Sequence, residues 1–183
     1  MTILITDKDF ADAVKNNERI QNKTIYWIGE EPNFSCLGLA PVAFAQTKYE
    51  IGKYYPDKGI YAGELKKQDG FYGIFAALQD AGEKDEDGDS QEYTWKEAMK
   101  IKFSQDNIHV PDIRELSLLH LNIDDVNAGL VAAGGEKLEG YYWSSTEYDN
   151  GHAWELRMSD GNRVWYNKDY DYGYVRPVLT IKL

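Results

Sequence analysis

The spacing of apolar residues changes character along the chain, from mixed β-type runs and helical spacings to strict alternation in the last quarter. Thr2-Ile3-Leu4-Ile5 and Thr24-Ile25-Tyr26-Trp27-Ile28 are β-prone runs, the second stopped by Gly29 and Pro32. Between them Thr6 with Asp9 resembles a capping box, which predicts a helix from about Asp7 to Asn16 with Phe10, Ala13 and Val14 on one face. Pro56-Asp57-Lys58-Gly59 is a turn signature, and Asp69-Gly70 between β-prone flanks predicts a hairpin. Thr94 with Glu97 forms a second capping box ahead of a short helix through Lys100. Asp112 with Glu115 caps another helix, in which Leu116, Leu119 and His120 follow at helical spacing. Asp124 is expected to cap a helix from Asp125 to Ala133, ended by Gly134-Gly135.

After Gly140 the period becomes two. In Ala153–Met158 the alternation predicts Trp154, Leu156 and Met158 inward, with Glu155, Arg157 and Ser159 outward. Ser159-Asp160-Gly161-Asn162 is a hairpin turn, Arg163 to Tyr166 the returning strand, and Val178 to Leu183 a last strand. Helices followed by a strand-rich C-terminal part predict an α+β fold. With no linker in 183 residues, residues 1–183 read as a single domain.

Charge and composition remove several function classes. A net charge of −11 repels phosphate backbones, so no nucleic acid is expected as a partner. Cys36 is the only cysteine, which excludes an intrachain disulfide and the Cys-rich zinc patterns. No apolar run is long enough to span a bilayer and the first residues lack a basic n-region, so the expectation is no membrane insertion and synthesis as a soluble cytoplasmic chain. Asp85, Asp87 and Asp89 suggest calcium, but an EF-hand counted from Asp85 needs Gly at position six and Glu at twelve and finds Ser90 and Lys96. The three histidines, His109, His120 and His152, show no metal or nucleophile spacing, and His120 on an apolar helix reads as a core residue. The chain is therefore read as non-enzymatic, with no metal and no cofactor. Its 14 Tyr and 5 Trp suit either a sheet-rich fold or a binding face.

Several short motifs in order carry a family resemblance. They are Val110-Pro111-Asp112-Ile113-Arg114-Glu115-Leu116, Tyr142-Trp143-Ser144-Ser145-Thr146-Glu147, Ala153-Trp154, Asp160-Gly161 and Tyr174-Val175-Arg176-Pro177-Val178. Over roughly Gly59 to Leu183 the chain resembles the C-terminal domain family of collagen-like bacterial surface proteins. It departs from that family where Ile108-His109-Val110-Pro111 stands in place of Trp-Arg-Leu-Pro. The resemblance implies a C-type lectin fold, with residues 59–183 as its core and 1–58 as an N-terminal elaboration packed on it. Within that fold the chain is most similar to the variable proteins of diversity-generating retroelements. In those proteins adenine-directed rewriting turns Asn-type codons into Asp, Tyr, His, Ser, Gly or Arg.

The segment Tyr141 to Val178 fits that picture and also stands on its own chemistry. Its ends, Trp143-Ser144-Ser145-Thr146 and Val175-Arg176-Pro177-Val178, read as buried framework, because buried hydroxyls and guanidinium groups must find partners. Its interior mixes rigid aromatics with adaptable polar groups, as binding faces do. The expected ligand-binding residues are Asp149, Asn150, His152, Glu155, Arg157, Asn162, Arg163, Trp165, Tyr166, Asn167, Asp169, Tyr170, Asp171 and Tyr172. The expected ligand is a protein or glycan on another cell or virion. The alternatives are a fixed adhesive or structural module without diversification, or a calcium-dependent lectin. Glu31-Pro32-Asn33 matches a sugar-selecting tripeptide of such lectins, but it lies too early in the chain for that loop.

Overall fold

The computed structural model describes residues 49–183, apart from residues 85, 87 and 89. The expected strands at Thr2–Ile5 and Thr24–Ile28, the helix Asp7–Asn16, Glu31-Pro32-Asn33, Cys36 and the three aspartates Asp85, Asp87 and Asp89 lie outside the described residues. The elements that follow are β1 (Tyr54–Tyr55), β2 (Gly59–Lys67), β3 (Gly70–Ala76), α1 (Trp95–Ala98), β4 (Ile108–His109), α2 (Ile113–Leu121), α3 (Ile123–Ala132), β5 (Tyr141–Glu147), β6 (His152–Arg157), β7 (Arg163–Asn167) and β8 (Val178–Lys182). They form a five-stranded sheet in the order β1-β2-β3-β8-β4 and a three-stranded sheet β5-β6-β7. All paired strands are antiparallel. The protein is thus a mixed helix-and-sheet fold dominated by strands.

Local chemistry explains most of these elements. The Asp69-Gly70 turn closes the β2–β3 hairpin, and Lys67 pairs with Gly70 across it. Both expected capping boxes form in full, Thr94 with Glu97 at α1 and Asp112 with Glu115 at α2. The third helix begins at Ile123, two residues before its expected start at Asp125. Asn122 precedes it without a capping bond, and its side-chain amide donates to the Ala62 carbonyl of β2 at 2.8 Å, while Asp124, expected as the cap, lies inside the helix. Gly129 is needed where this helix crosses the chain at Gly52, since a Cβ there would lie 1.9 Å from the Gly52 carbonyl oxygen.

One core joins the two sheets. Ile60 and Ala62 of β2 and Ile74 and Ala76 of β3 meet Leu116 and Leu119 of α2, Val126 and Leu130 of α3, and Tyr142, Leu156 and Met158 from the smaller sheet. Full burial of one such aliphatic side chain stabilises by about 1.5–3 kcal/mol. The opposite face of the larger sheet is covered by aromatics, with Tyr61 and Phe75 packed against Tyr49 and Tyr55. Tyr49 and β1, which precede Gly59, thus pack on and pair with this sheet.

Between the sheets lies a buried cation. Arg176 is fully buried, donates through Nε to Asp80 Oδ1 at 2.6 Å, and donates through one terminal nitrogen to the carbonyls of Ala77 and Glu136, each at 3.0 Å. Tyr142 of β5 donates to the other Asp80 oxygen at 3.2 Å. Removing one member of a buried pair strands the other and costs about 3–5 kcal/mol. Arg176→Ala is therefore expected to lower the urea-unfolding free energy by about that amount; a loss below about 1 kcal/mol would mean that Arg176 does not clamp the two sheets.

Candidate ligand-binding surface

The aromatic-hydroxyl run of β5 is a framework, and each of its polar groups has a bond that explains it. Trp143 is fully buried and donates from Nε1 to the Tyr93 carbonyl at 2.7 Å, while its backbone N–H donates to Tyr174 at 2.9 Å. Trp95 of α1 donates to the Ser144 carbonyl at 2.8 Å. The Ser145 N–H donates to the Pro111 carbonyl at 2.8 Å, and Thr146 Oγ1 accepts from the Ile113 N–H at 3.1 Å. The second pair ties β5 to the start of α2. Buried amides and hydroxyls that each need one partner leave the strand a single path.

The β6–β7 hairpin divides the expected site into two ends. Its register sets His152 opposite Asn167 and Trp154 opposite Trp165 at one end, and Leu156 opposite Arg163 at the other. Arg157, Asn162 and Arg163 lie at the turn, while Asp149, Asn150, His152, Trp165, Asn167, Asp169, Tyr170, Asp171 and Tyr172 gather at the far end. Arg163 and Asn167 are four residues apart, or about 13 Å, with Trp165 midway between them. Tyr166 belongs to neither end, since it is half-buried on the opposite face from Trp165 with its ring edge against Tyr141 at 6.2 Å. At the turn, Arg157 is held by Asp160 and by the Tyr141 hydroxyl, so the cation is engaged inside the protein.

Glu155 corrects the expected alternation. It is 1% exposed, so it is not part of a display surface. The alternation assumed that one face of the hairpin is wet, whereas the Tyr93–Gly173 backbone bridge covers that face. A Cβ on Gly173 would stand 2.3 Å from Glu155 Oε1 and 3.3 Å from Trp143, so glycine alone lets the chain close over the carboxyl. Oε1 has no hydrogen-bond partner. Burial, with Asp171 and Glu92 adding repulsion, pushes this carboxyl up to about 8.

The far end holds two residues that the sequence reasoning missed. Tyr148, half exposed, stacks on Trp165 with centroids 5.2 Å apart and planes 6° apart. Trp154, expected in the core, is only half-buried and meets Tyr148 edge-on at 5.1 Å. His152 meets Trp165 edge-on at 4.8 Å, and its Nδ1 is bonded to Asp149 Oδ1 at 2.8 Å. That bond, with the Gly151 and His152 backbone amides on the same oxygen, holds Asp149 below the usual carboxylate range. A two-residue turn at Asp160-Gly161 would have set Trp154 opposite Asn167; the hairpin instead closes with the Arg157 N–H on the Asn162 carbonyl, and this shifted register brings Trp154 to Trp165.

Lys168 is a third missed residue. It is 3% exposed and donates to Glu147 Oε2 and to the carbonyls of Asp149 at 2.6 Å and Asn150 at 3.2 Å. Its ammonium also sits 4.8 Å from the Trp95 ring centre. It fastens the turn that carries Tyr148 to the loop that follows β7. In that loop Asp171 accepts from the Asn167 N–H at 2.7 Å, Asn167 Oδ1 accepts from the Asp169 N–H at 2.9 Å, and Lys96 pairs with Asp169 at 2.6 Å. The loop presents Tyr170 at 79% exposure and Tyr172 at 60%, which makes them the most open aromatics of this end.

Elsewhere, a cavity of about 430 Å³ lined by Met99, Ile101, Phe103, Ile108, His109 and Val110 lies beside the His109–Glu115 pair. His109 donates from Nε2 to Glu115 at 2.9 Å, and Glu115 also accepts from Asp112, Lys67 and Thr180. These donors hold the buried Glu115 carboxyl down at about 2, against its desolvation, and Glu115 in turn raises His109. The pair anchors the start of α2 to the edge of the larger sheet. His120 is likewise structural, bonded through Nδ1 to the Met158 carbonyl at 3.1 Å beneath the hairpin turn. Among the described residues, no group of three or more His, Cys, Asp or Glu could hold a metal ion. No protein-family model matches this chain, and no curated protein matches it in sequence.

Two measurements follow from this geometry. Glu155 has a folded value near 8 against an ordinary 4.5, so its contribution is fully present below pH 4.5 and is lost as pH rises through 8. Glu155→Gln is expected to abolish that part of the decline and to melt higher than the parent at pH 8.5; an unchanged pH slope would place the charge elsewhere. Lys168→Met leaves Glu147 and two carbonyls without their donor, and is expected to cost about 1–3 kcal/mol. Faster amide exchange at residues 147–150 should accompany it, and unchanged exchange there would rule out the fastening role.

Proposed function

We propose that this protein is a non-enzymatic, receptor-type ligand-binding protein. In this reading its C-terminal surface takes a protein or glycan of another cell or virion. The observation that carries the reading is the aromatic cluster at one end of a well-packed hairpin. Tyr148 and Trp165 are about half exposed, and Tyr170 and Tyr172 more so, although Trp143 and Ser144 of the framework strand are fully buried and hydrogen-bonded. Tyr148 stacked on Trp165 is a patch of the kind that soluble proteins rarely leave open without use, and rigid Tyr and Trp side chains bind at low entropic cost. The adjoining Asp149, Asn150, His152, Asn167, Asp169 and Asp171 supply polar contacts for selectivity.

The finer reading is a C-type lectin fold whose far-end residues are diversified by a retroelement. The helix pair α2 and α3, a small second sheet, and a C-terminal strand paired inside the larger sheet are in keeping with that fold. Asn150, His152, Asn167, Asp169, Tyr170, Asp171 and Tyr172 belong to the residue types that adenine rewriting produces, while the bonded framework types sit in β5 and at Arg176. Diversification would then change the contact residues without touching the clamp.

The test has a genomic and a binding arm. A near-identical template repeat beside a reverse-transcriptase gene, with mismatches confined to template adenines, is expected; its absence removes the diversification claim. On arrays of glycans and cell-surface proteins, Trp165→Ala and Tyr170→Ala should each weaken binding by about tenfold or more, as hot-spot aromatics do. Tyr170→Ala should leave stability within about 0.5 kcal/mol, the usual range for an exposed site. Binding that survives both substitutions would sink the surface reading.

A further inference from the structure

The outer strand of the smaller sheet carries unused backbone bonds, and its register shows which ones. In an antiparallel pair, residues alternate between those that exchange both backbone bonds with the partner strand and those that turn both groups away. The Lys168 N–H donates to the Gly151 carbonyl at 2.9 Å, and the Arg157 N–H to the Asn162 carbonyl at 3.0 Å. With the β6–β7 register, these bonds place Tyr166 and Val164 among the residues bonded to β6. Arg163, Trp165 and Asn167 therefore turn their N–H and C=O groups outward. The loop closes Asn167, whose N–H goes to Asp171 Oδ2 at 2.7 Å and whose carbonyl accepts from the Asp171 N–H at 3.2 Å.

Arg163 and Trp165 remain. Among the described residues nothing bonds their outward groups, which leaves two donors and two acceptors in one short row. The edge has no proline, and its pairing with β6 runs without a bulge, so two common devices that blunt free edges are absent. Both side chains are exposed and lie on one face of the strand, with Tyr148 stacked on Trp165.

We infer that the partner of this surface is an extended protein segment that adds to β7 as a fourth, antiparallel strand. Its backbone pairs with Arg163 and Trp165, an apolar side chain rests on Trp165 and Tyr148, and an acidic side chain two residues later meets Arg163. The inference rests on the ligand-binding reading above and narrows its ligand to a polypeptide. A strand offers donors and acceptors at the spacing of this edge, whereas a glycan does not repeat that pattern. A second copy of this chain fits less well. Pairing β7 with its own copy brings one copy's Asp169–Asp171 loop against the other's Asp160 turn, on chains that each carry a net charge of −11.

The test uses the full chain and a phage-displayed library of random ten-residue peptides. In the free protein, amides of Val164 and Tyr166 should exchange slowly and those of Arg163 and Trp165 fast. Recovered peptides should carry an apolar residue two positions before an acidic one, and should slow the Arg163 and Trp165 amides. Arg163→Pro deletes an outward N–H and leaves the bonds to β6 in place, so it should weaken binding at least about tenfold more than Arg163→Ala. Slow Val164 and Tyr166 amides in the proline variant confirm an intact hairpin. A recovered peptide N-methylated at the residue facing Trp165 gives the same comparison without altering the protein. Strand addition is overturned by any of these results: no peptide enriched, equal binding by the two Arg163 variants and the methylated peptide, or Arg163 and Trp165 amides already slow in the free chain. It is also overturned if those amides slow with protein concentration alone, which would make the occupant a second copy. Peptide binding that depends on Trp165 and Tyr170 without slowing the edge amides would leave the ligand-binding reading standing and remove only the strand.

Discussion

A guanidinium group taken wholly out of water needs partners inside the protein, and Arg176 finds them for Nε and one terminal nitrogen on two other segments, while its second terminal nitrogen has none. Asp80 and Ala77 come from the chain after β3, Glu136 from the chain after α3, and Arg176 itself from the approach to β8. Through the Tyr142 hydroxyl on Asp80, the same group reaches β5. The larger sheet, the helix pair and the smaller sheet therefore meet at one charge. A buried pair of this kind adds little to net stability compared with apolar side chains of the same volume, but it tolerates only one arrangement. The position of the smaller sheet depends on that intolerance.

The smaller sheet stands between this fixed interior and an open end. On the interior side, Leu156 and Met158 join the main core, and Trp143 locks β5 to the chain around Tyr93 and Tyr174. On the open side, the rings of Tyr148, Trp154, Trp165 and His152 contact mainly one another. Changes at the open end therefore remove few contacts from the core. Lys168 connects the two regimes: its stem and charge are buried, and the carbonyls it holds belong to the turn that bears Tyr148. A rigid seat under exposed aromatics reduces the entropy lost when a partner docks.

Glu155 shows the cost of closing the loop over the hairpin. A carboxyl with no partner for Oε1, near Asp171 and Glu92, opposes the packing that Gly173 permits. The same loop spends Asp171 on the outward groups of Asn167, which stops the open edge of β7 there. The free edge and the exposed tyrosines are thus neighbours because one short loop shapes both.

The sequence alone determined what depends on residues close together in the chain. Thr94 with Glu97 and Asp112 with Glu115 announced two helix starts, because a capping box closes within four residues. The Asp69-Gly70 and Ser159–Asn162 turns set two hairpins, but the register that pairs Trp154 with Trp165 came only from the fold. The framework role of Trp143, Ser144 and Arg176 was also readable, since buried polar groups of those types must be bonded. Tertiary structure decided the rest, for reasons no local pattern carries. Asn122 bonded a carbonyl sixty residues away, and α3 started early. Glu155 went under a loop because the chain at Tyr93 and Gly173 covers its face of the hairpin, so period-two alternation could not report its exposure. Lys168, by its type a surface residue, was buried because three oxygens of a distant turn receive its ammonium. The length of the hairpin parted Arg157 and Asn162 from the aromatic end, while Arg163 stays two residues from Trp165. Separation in space along a folded strand has no counterpart in residue type, and only the fold could draw the boundary of the surface.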